Sequence, residues 1–151
     1  MVAPNEMLSY IRPALMDTFS RKERSEIMRR VRSKGTRPEL TVRRLVKQMG
    51  IKYRCSPGNL PGKPDLVLDK QRKAIFVHGC FWHGHSCEAG RLPRANRSYW
   101  KNKQIKNYRR DLRNARALRR NGWSLLTLWE CELRKKKVVD ARVTRFVRAK
   151  S

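Results

Sequence analysis

The chain has 151 residues, enough for one domain of ordinary size with its own hydrophobic core. It carries 38 Lys and Arg against 12 Asp and Glu, a formal net charge of +26. A charge this high is poorly explained by a solvated surface alone and indicates a polyanionic partner, first of all nucleic acid, because binding releases condensed counterions. No apolar run is long enough to span a membrane, so we expect an intracellular protein without a membrane partner. Its four cysteines are then expected as reduced thiols or metal ligands.

The first third of the chain predicts an arm and two helices. Residues 1–19 contain prolines and no clear period, and we predict a flexible arm before a single domain spanning 20–151. A basic helix follows, with Met28 and Val31 on its apolar side. The sequence Thr36-Arg37-Pro38-Glu39 has the pattern of a capping box, in which hydroxyl and carboxylate satisfy free amides at the start of a second helix.

Strands and helices alternate through the rest of the chain. The predicted elements are strands over 51–55, 66–68, 74–77 and 123–129, a long helix over 98–120, and a final amphipathic helix around Val143. Cys55 is expected in the core. The apolar stripe of the long helix is expected to contain Trp100, Ile105, Tyr108, Leu112, Ala115 and Leu118. This order of elements predicts an α/β domain with a mixed central sheet flanked by helices.

All three histidines and two of the four cysteines lie close together in the sequence. Cys80, His85 and Cys87, joined by Cys131 after the last predicted strand, form a three-thiolate, one-imidazole set that suits a structural Zn²⁺. His83 competes with His85 for the fourth place, and spacing alone does not decide between them. Buried free cysteines are the alternative, but the histidines among them favour zinc.

A second group of residues indicates catalysis. Asp65 follows a proline at the start of a strand, where a carboxylate can hold Mg²⁺ against a phosphate. An Asp that closes a proline turn is the common alternative. His78 ends the neighbouring strand and His83 follows it, so one hairpin brings two candidate proton carriers near the carboxylate. The second carboxylate and the lysine that are usual in metal nucleases have no clear match, because Phe76 and Val77 occupy the positions directly before His78. The backbone carbonyl of Val77 is the expected additional metal ligand.

Several motifs together resemble the very-short-patch-repair (Vsr) mismatch endonuclease family, over about residues 24–131. They are Pro61-Gly62-Lys63-Pro64-Asp65, His78-Gly79-Cys80-Phe81-Trp82-His83, the later His-x-Cys and Trp129-Glu130-Cys131. The resemblance implies a restriction-endonuclease-like, PD-(D/E)xK-type fold with one structural zinc. It implies a Mg²⁺-dependent enzyme that nicks one strand 5′ of the thymine in a T·G mismatch, in repair of deaminated 5-methylcytosine. It further implies a monomer on double-stranded DNA in the bacterial cytoplasm, associated with the nucleoid, with other mismatch-repair proteins as candidate partners.

The same resemblance implies roles for individual residues. Asp65 matches the metal-binding catalytic aspartate, and His78 and His83 match the active-site histidines, whose division of roles stays open. The four cysteine and histidine residues named above match the zinc ligands. Glu39 aligns with an acidic residue near the family's active site, and the capping box explains it equally well. Val77 stands where well-known members of the family have a threonine. This replacement is tolerable if the backbone carbonyl, and not the side chain, binds the metal.

Apolar residues on two segments match those that the family inserts into DNA. Phe81, Trp82 and Trp100 match aromatic residues that wedge into the base stack beside the mismatch, where a T·G pair is cheaper to unstack than a matched pair. Met28 and Val31 match apolar residues that enter from the minor groove. Packing within the domain is the alternative for all five.

Three functions are therefore compatible with the sequence. The first is a nicking endonuclease specific for T·G mismatches. The second is a Vsr-like nuclease of a restriction or mobile-element system that cuts paired DNA, and the third is a non-catalytic, zinc-stapled DNA-binding module. Asp65, His78 and His83 are surplus to a binding module, and their presence favours an enzyme.

Overall fold

The computed structural model describes residues 20, 22, 25, 26, 29, 34–55 and 57–149. The predicted arm over 1–19 lies outside the described residues, as do Met28 and Val31, while the described residues 22, 25, 26 and 29 are helical. From residue 34 onward the helices and strands are α1 (Arg37–Gln48), β1 (Arg54–Cys55), β2 (Leu66–Leu68), β3 (Lys73–His78), α2 (Cys80–His83), α3 (Arg97–Arg120), β4 (Ser124–Trp129) and α4 (Lys136–Arg148). No helix in this described part of the chain is both long and apolar enough to cross a membrane.

The four strands form one mixed sheet in the order β1-β2-β3-β4. The strand β2 pairs antiparallel with both β1 and β3, whereas β3 and β4 run parallel, with α2 and α3 in the connection between them. Because β3 and β4 are parallel, their carboxyl ends meet at one edge of the sheet, where His78 lies opposite Trp129. The predicted α/β class with a mixed central sheet is confirmed.

The start of α1 has the predicted cap. Thr36 is the N-cap residue, and its hydroxyl accepts a hydrogen bond from the amide of Glu39 at 3.5 Å. The Glu39 carboxylate in turn accepts from the amide of Gly35 at 2.8 Å. Gly50, with φ of +71°, follows the end of the helix in a conformation that favours glycine.

An aliphatic core joins the sheet to α1 and α4. Its buried members are Val42, Val46, Leu66, Leu68, Ile75, Leu128, Val139, Val143 and Val147. At the start of β3 the side chain of Lys73 is also buried, and its Nζ donates to the carbonyls of Val147 and Ala149. The lysine therefore satisfies carbonyl groups that the end of α4 leaves without an intrahelical partner.

Two sequence predictions about burial are wrong. Cys55 is exposed and not part of the core, because β1 is a two-residue edge strand with both residues exposed. In α3, Ile105 and Tyr108 of the predicted apolar stripe are 37% and 60% exposed. The other members of the stripe are buried or partly buried, Trp100 and Leu118 most completely, and polar side chains on the same face contact α2, as described below.

Candidate active site and metal centre

Asp65 lies at the mouth of the β2–β3 hairpin, immediately before β2. Its amide donates to the carbonyl of Ile75 at 3.0 Å, and its Oδ2 accepts from the amide of Val77 at 2.7 Å. No other described residue donates a hydrogen bond to this carboxylate. The two backbone contacts hold the acid beside the last residues of β3, one residue before His78.

The surroundings of Asp65 disfavour the charged form of its carboxylate. Burial raises the pKa of Asp65 to about 6, and the negative charge of Glu39 acts in the same direction. The amide of Val77 and the positive charges of Arg43 and His83 oppose this rise without cancelling it. Asp65, Glu39 and His83 therefore share one electrostatic environment, as a common site requires.

Glu39 serves as a helix cap, and its charge also acts on Asp65. Its carboxylate accepts hydrogen bonds from the amide of Gly35, from the hydroxyl of Thr36 at 3.0 Å and from Nη2 of Arg43 at 3.2 Å. The side chain is buried, with 3% of the residue exposed. The hydrogen bonds of Glu39 thus account for the capping role, while its charge also raises the pKa of Asp65 and its catalytic role stays a prediction.

The two histidines stack at the edge where β3 ends. The rings of His78 and His83 lie 3.8 Å apart between centroids, at an interplanar angle of 10°. Nδ1 of His83 is 2.5 Å from Oδ2 of Asp111, on α3. Burial lowers the pKa of His78 to about 4, and the charge of His83 acts in the same direction. Burial alone would raise the pKa of Asp111, but its contacts with His83 and Arg110 lower it below its ordinary value.

His78, His83 and Asp111 fit proton transfer better than metal binding. One ligand atom from each lies within 4.8 Å of the others, which is close enough for a shared ion. The nitrogen lone pairs lie in the ring planes, however, and the planes of stacked parallel rings do not converge on one point. A histidine that is hydrogen-bonded through Nδ1 to a carboxylate instead leaves Nε2 available for a proton.

The cysteine-rich cluster brings together the residues that the sequence selects. The ligand atoms of Cys80, His85, Cys87 and Cys131 all lie within 4.8 Å of one another. Nδ1 of His85 lies 3.5 Å from Sγ of Cys131, whereas His83 belongs to the pair with Asp111. The competition between the two histidines for this cluster is therefore decided in favour of His85.

The donor set fits a tetrahedral zinc ion. Zinc–sulfur bonds of about 2.3 Å in a tetrahedron place neighbouring ligand atoms about 3.8 Å apart, within the spacing of this cluster. Burial raises the pKa of the Cys80 thiol to about 12, so a nearby cation would be needed to hold it as a thiolate. The loop is also tight, because a Cβ at Gly90 would collide with the carbonyl of His85. The cluster links the segment after β3 to the segment after β4.

Comparison with known proteins identifies the family. Residues 16–89 match the family model described as DNA mismatch endonuclease Vsr. The type II nicking enzyme V.NmeAIP of Neisseria meningitidis is 40% identical over 134 residues, which cover 89% of this chain and 96% of that protein. The chain belongs to the Vsr family of DNA mismatch endonucleases.

Other relatives agree with this assignment. The type II nicking enzyme V.XorIIP of Xanthomonas oryzae is 43% identical, over 85% of this chain and 95% of the relative. The DNA mismatch endonuclease Vsr of Escherichia coli is 37% identical, over 86% of this chain and 84% of that protein. A homing endonuclease catalytic domain, I-Bth0305I, has the same fold, with a TM-score of 0.54 and 24% identity over 74% of this chain and 94% of that domain. This Vsr-family protein is therefore a DNA endonuclease.

Asp111 is the site residue that sequence reasoning misses. It lies far along the chain from Asp65, within a helix dominated by Arg and Lys. The signal that could have found it is that Asp111 is the single acidic residue of α3. It also falls on the same helical face as the buried residues Trp100 and Leu118, where an unpaired carboxylate would be costly.

A polar row on α3 holds α2 in place in this Vsr-family enzyme. Nε2 of Gln104 donates to the carbonyl of Phe81 at 2.7 Å, and Nδ2 of Asn107 donates to the carbonyl of Trp82 at 2.8 Å. The contact between Asp111 and His83 continues the row. Three side chains on one helical face therefore fix three consecutive residues of α2.

The three aromatic residues that are candidates for insertion into DNA form a small cluster. In this DNA-free structure Phe81 and Trp100 are 8% and 1% exposed and meet edge to face at 5.2 Å, while Trp82 is partly exposed beside them. Core packing is thus the observed state of Phe81 and Trp100, and their insertion would require the cluster to open. The DNA-binding role of all three stays a prediction.

Proposed function

We propose that this Vsr-family endonuclease nicks one strand of double-stranded DNA on the 5′ side of the thymine in a T·G mismatch, in repair of deaminated 5-methylcytosine. The observation that carries the proposal is the placement of Asp65 in one electrostatic environment with His83, which stacks on His78 and bonds Asp111. A buried acid, a proton carrier and its orienting carboxylate form a hydrolytic site. The relative in Escherichia coli is named a DNA mismatch endonuclease.

The carboxylate of Asp65 and the carbonyl of Val77 are the proposed ligands of Mg²⁺. Both are hard oxygen donors of the kind that Mg²⁺ prefers. The raised pKa of Asp65 and the nearby charge of Glu39 support this choice, because a cation would relieve the repulsion between the two carboxylates. When bound, Mg²⁺ supplies charge stabilisation at the phosphate and lowers the pKa of water.

His83 is the proposed proton carrier. Its Nδ1 is hydrogen-bonded to Asp111, which fixes the ring orientation and stabilises the imidazolium that forms when Nε2 takes a proton. His78, with its pKa lowered to about 4, is neutral near pH 7 and serves as an uncharged hydrogen-bonding group beside it. The division of roles between the two histidines thus follows from their different environments.

Cys80, His85, Cys87 and Cys131 are proposed to hold a structural Zn²⁺. The ion would fasten α2, and with it Trp82 and His83, to the end of β4. Purified protein should then contain about one zinc ion per chain, and Cys131→Ser should lower that content. A full-length protein that is folded and active without zinc would exclude this assignment.

The remaining parts of the proposal concern DNA and the cell. Trp82, with Phe81 and Trp100 after the cluster opens, would wedge beside the mismatch, and Met28 and Val31 would enter from the other groove. The enzyme would act as a monomer on nucleoid DNA in the bacterial cytoplasm, with other mismatch-repair proteins as candidate partners. The bacterial relatives and the net charge of +26 support this part of the proposal.

A second candidate is a nuclease that cuts paired DNA in a restriction or mobile-element system. The observation in its favour is that several relatives are named type II nicking enzymes and not repair enzymes. One assay separates the candidates: labelled T·G and matched T·A duplexes are incubated with and without Mg²⁺, alongside Asp65→Ala. Nicking of only the T·G duplex supports the proposal, cleavage of both supports the second candidate, and binding without cleavage by wild-type protein contradicts both.

Glu39→Gln separates the two roles of Glu39. Glutamine can still accept hydrogen bonds at this capping position, so the free energy of unfolding should change by less than about 1 kcal/mol. If the charge of Glu39 acts in catalysis, the nicking rate falls at unchanged stability. A parallel loss of rate and stability would instead assign Glu39 to the cap alone.

A further inference from the structure

The outer face of α3 carries a group of arginines that the site described above does not use. Among the described residues, a surface cavity of about 470 Å³ is lined by Arg113, Arg116, Arg119 and Arg120, which we call the arginine cluster. None of the four side chains makes an ion pair or a hydrogen bond with another residue in the described part of the chain, in contrast to those of Arg43, Arg54, Arg110 and Arg142, which contact carboxylates. Like charges one helical turn apart repel one another, so binding of an anion would stabilise the cluster.

Three of the four arginines face away from the catalytic side chains. With 3.6 residues per turn, Arg113, Arg116 and Arg120 lie about 140° to 200° around the helix from Asp111, which contacts His83, and Arg119 lies about 80° from it. Arg120 is also displaced by about 14 Å along the helix axis from Asp111, at 1.5 Å per residue. The end of α3 leads to Ser124, which pairs with Lys73 at the opposite end of β3 from His78.

Helix capping does not account for the arrangement. Basic residues are favoured at a helix carboxyl end, and Arg119 and Arg120 lie in the last turn of α3. That effect fades beyond the last turn, and it gives no reason for Arg113 and Arg116. All four side chains are exposed and directed to solvent.

We propose that the arginine cluster binds the phosphates of a second DNA duplex, separate from the duplex at the Asp65 site. Guanidinium groups match phosphate oxygens in a bidentate geometry, which suits an exposed arginine-only surface to nucleic acid. DNA has a persistence length of about 50 nm, so a duplex seated at Asp65 would have to bend sharply around α3 to reach its opposite face, at a cost of several kcal/mol. The enzyme therefore bridges two DNA segments and passes directly from one to the other during its search.

A two-duplex capture assay tests this directly. One paired duplex of about 12 base pairs, roughly 40 Å long at 3.4 Å per pair, is immobilised and loaded with protein, and a fluorescent copy is then added without Mg²⁺. Wild-type protein should capture the second duplex. A variant with Arg113, Arg116, Arg119 and Arg120 all replaced by Gln should lose this capture at least tenfold, while single-turnover nicking of a T·G duplex stays unchanged.

A matched control removes the same charge elsewhere. The control variant has Gln in place of four other exposed basic residues, Arg134, Lys135, Lys136 and Lys137. Its net charge equals that of the cluster variant, +26 − 4 = +22. This control should still capture the second duplex. In wild-type protein, contacts with about four phosphates predict a roughly hundredfold loss of second-duplex affinity between 50 and 200 mM salt.

Several outcomes would overturn the inference. In the first, wild-type protein captures no second duplex; in the second, the cluster variant and the control lose capture equally. In the third, analytical ultracentrifugation finds two protein chains in the captured complex, so that a dimer does the bridging. If the cluster variant binds the first duplex more weakly and still bridges, the arginines belong to the catalytic footprint. The assay needs neither a mismatch nor cleavage, so its result is independent of the proposed nicking activity.

Discussion

The aliphatic core and the carboxyl-end region of the sheet are stabilised by different physical means. The aliphatic core consists of nine side chains, each at most 4% exposed, that come from α1, α4 and all the strands except β1. The carboxyl-end region, which comprises residues 78–91 and 129–131, has a small aromatic cluster and otherwise depends on polar contacts and on a cysteine–histidine ligand set. The aliphatic core is formed by burial alone, whereas the carboxyl-end region needs a specific partner for each buried polar group.

This difference shows how the chain combines a stable scaffold with a costly site. Fully burying one aliphatic side chain contributes about 1.5 to 3 kcal/mol to the free energy of unfolding. This contribution is similar at every position of the aliphatic core, because burial is non-directional. The lowered pKa of His78 in the carboxyl-end region and the raised pKa of Asp65 before β2 both record charged forms that would be more stable in water. The scaffold therefore offsets the cost of groups that are retained for chemistry.

Removal of the expected zinc should produce the largest difference in stability between the carboxyl-end region and the aliphatic core. A chelator should lower the stability of the carboxyl-end region by several kcal/mol and abolish nicking, because the ligand set replaces a core there. Hydrogen exchange measured by mass spectrometry should show lost protection over residues 78–91, while β2 and α4 stay protected. An equal loss of protection in both regions would show that they form one cooperative unit.

Leu68→Ala tests the aliphatic core. Leu68 is 3% exposed in β2, where it pairs with Lys73 at the end of the sheet away from the site. The truncation should lower the free energy of unfolding by about 2 to 5 kcal/mol in urea denaturation. Zinc content and nicking rate per folded molecule should not change. A loss of zinc at temperatures where the protein is folded would contradict independence of the two regions.

Asp65→Asn should raise stability while it abolishes activity. Because burial raises the folded-state pKa from 3.8 to about 6, the folded chain binds this proton more tightly than the unfolded chain. The protonated side chain of Asp65 therefore makes its full contribution to the free energy of unfolding below pH 3.8, and this contribution is lost as the pH rises through about 6. Asparagine is uncharged and should add about 2 kcal/mol near pH 7 without added Mg²⁺.

The pH dependence provides the control for this prediction. Urea unfolding of wild type and variant should give a difference that shrinks toward pH 5, where Asp65 is protonated in the folded wild type. Addition of Mg²⁺ should stabilise the wild type more than the variant. A variant that is less stable than wild type near pH 7 would show that the ionised carboxylate makes net favourable contacts without metal.

Trp82→Ala tests the exposed part of the aromatic cluster and should have the smallest effect of the four. Stacking on a base is worth about 1 to 3 kcal/mol, so the preference for T·G over T·A duplexes should fall by roughly fivefold or more, with a smaller loss of general affinity. Fluorescence anisotropy with the T·G and T·A duplexes measures this preference as a ratio of two dissociation constants. Tyr108→Ala, an exposed aromatic on α3, is the control and should leave the preference unchanged. Equal losses on both duplexes for Trp82→Ala would contradict a wedge.

Local patterns in the sequence determined much of the fold. The capping box at Thr36 predicted the start of α1, and two short apolar runs separated by a polar turn predicted the strands next to Asp65 and His78. These predictions succeed because caps, turns and periodic burial depend on residues a few positions apart. The cluster of Cys80, His85, Cys87 and Cys131 was also predictable from the sequence, because these residue types restrict the possible chemistry so strongly.

Tertiary structure alone decided which side chains meet across longer distances. It assigned His85 to the cysteines and His83 to Asp111, and it placed Cys55 at the sheet edge. It also turned the polar row of α3 toward α2, leaving the Ile105 and Tyr108 side out in solvent. Spacing along the chain does not specify these contacts, because the rotation of α3 on the sheet and the path of the loop after β3 are set by packing of the whole domain.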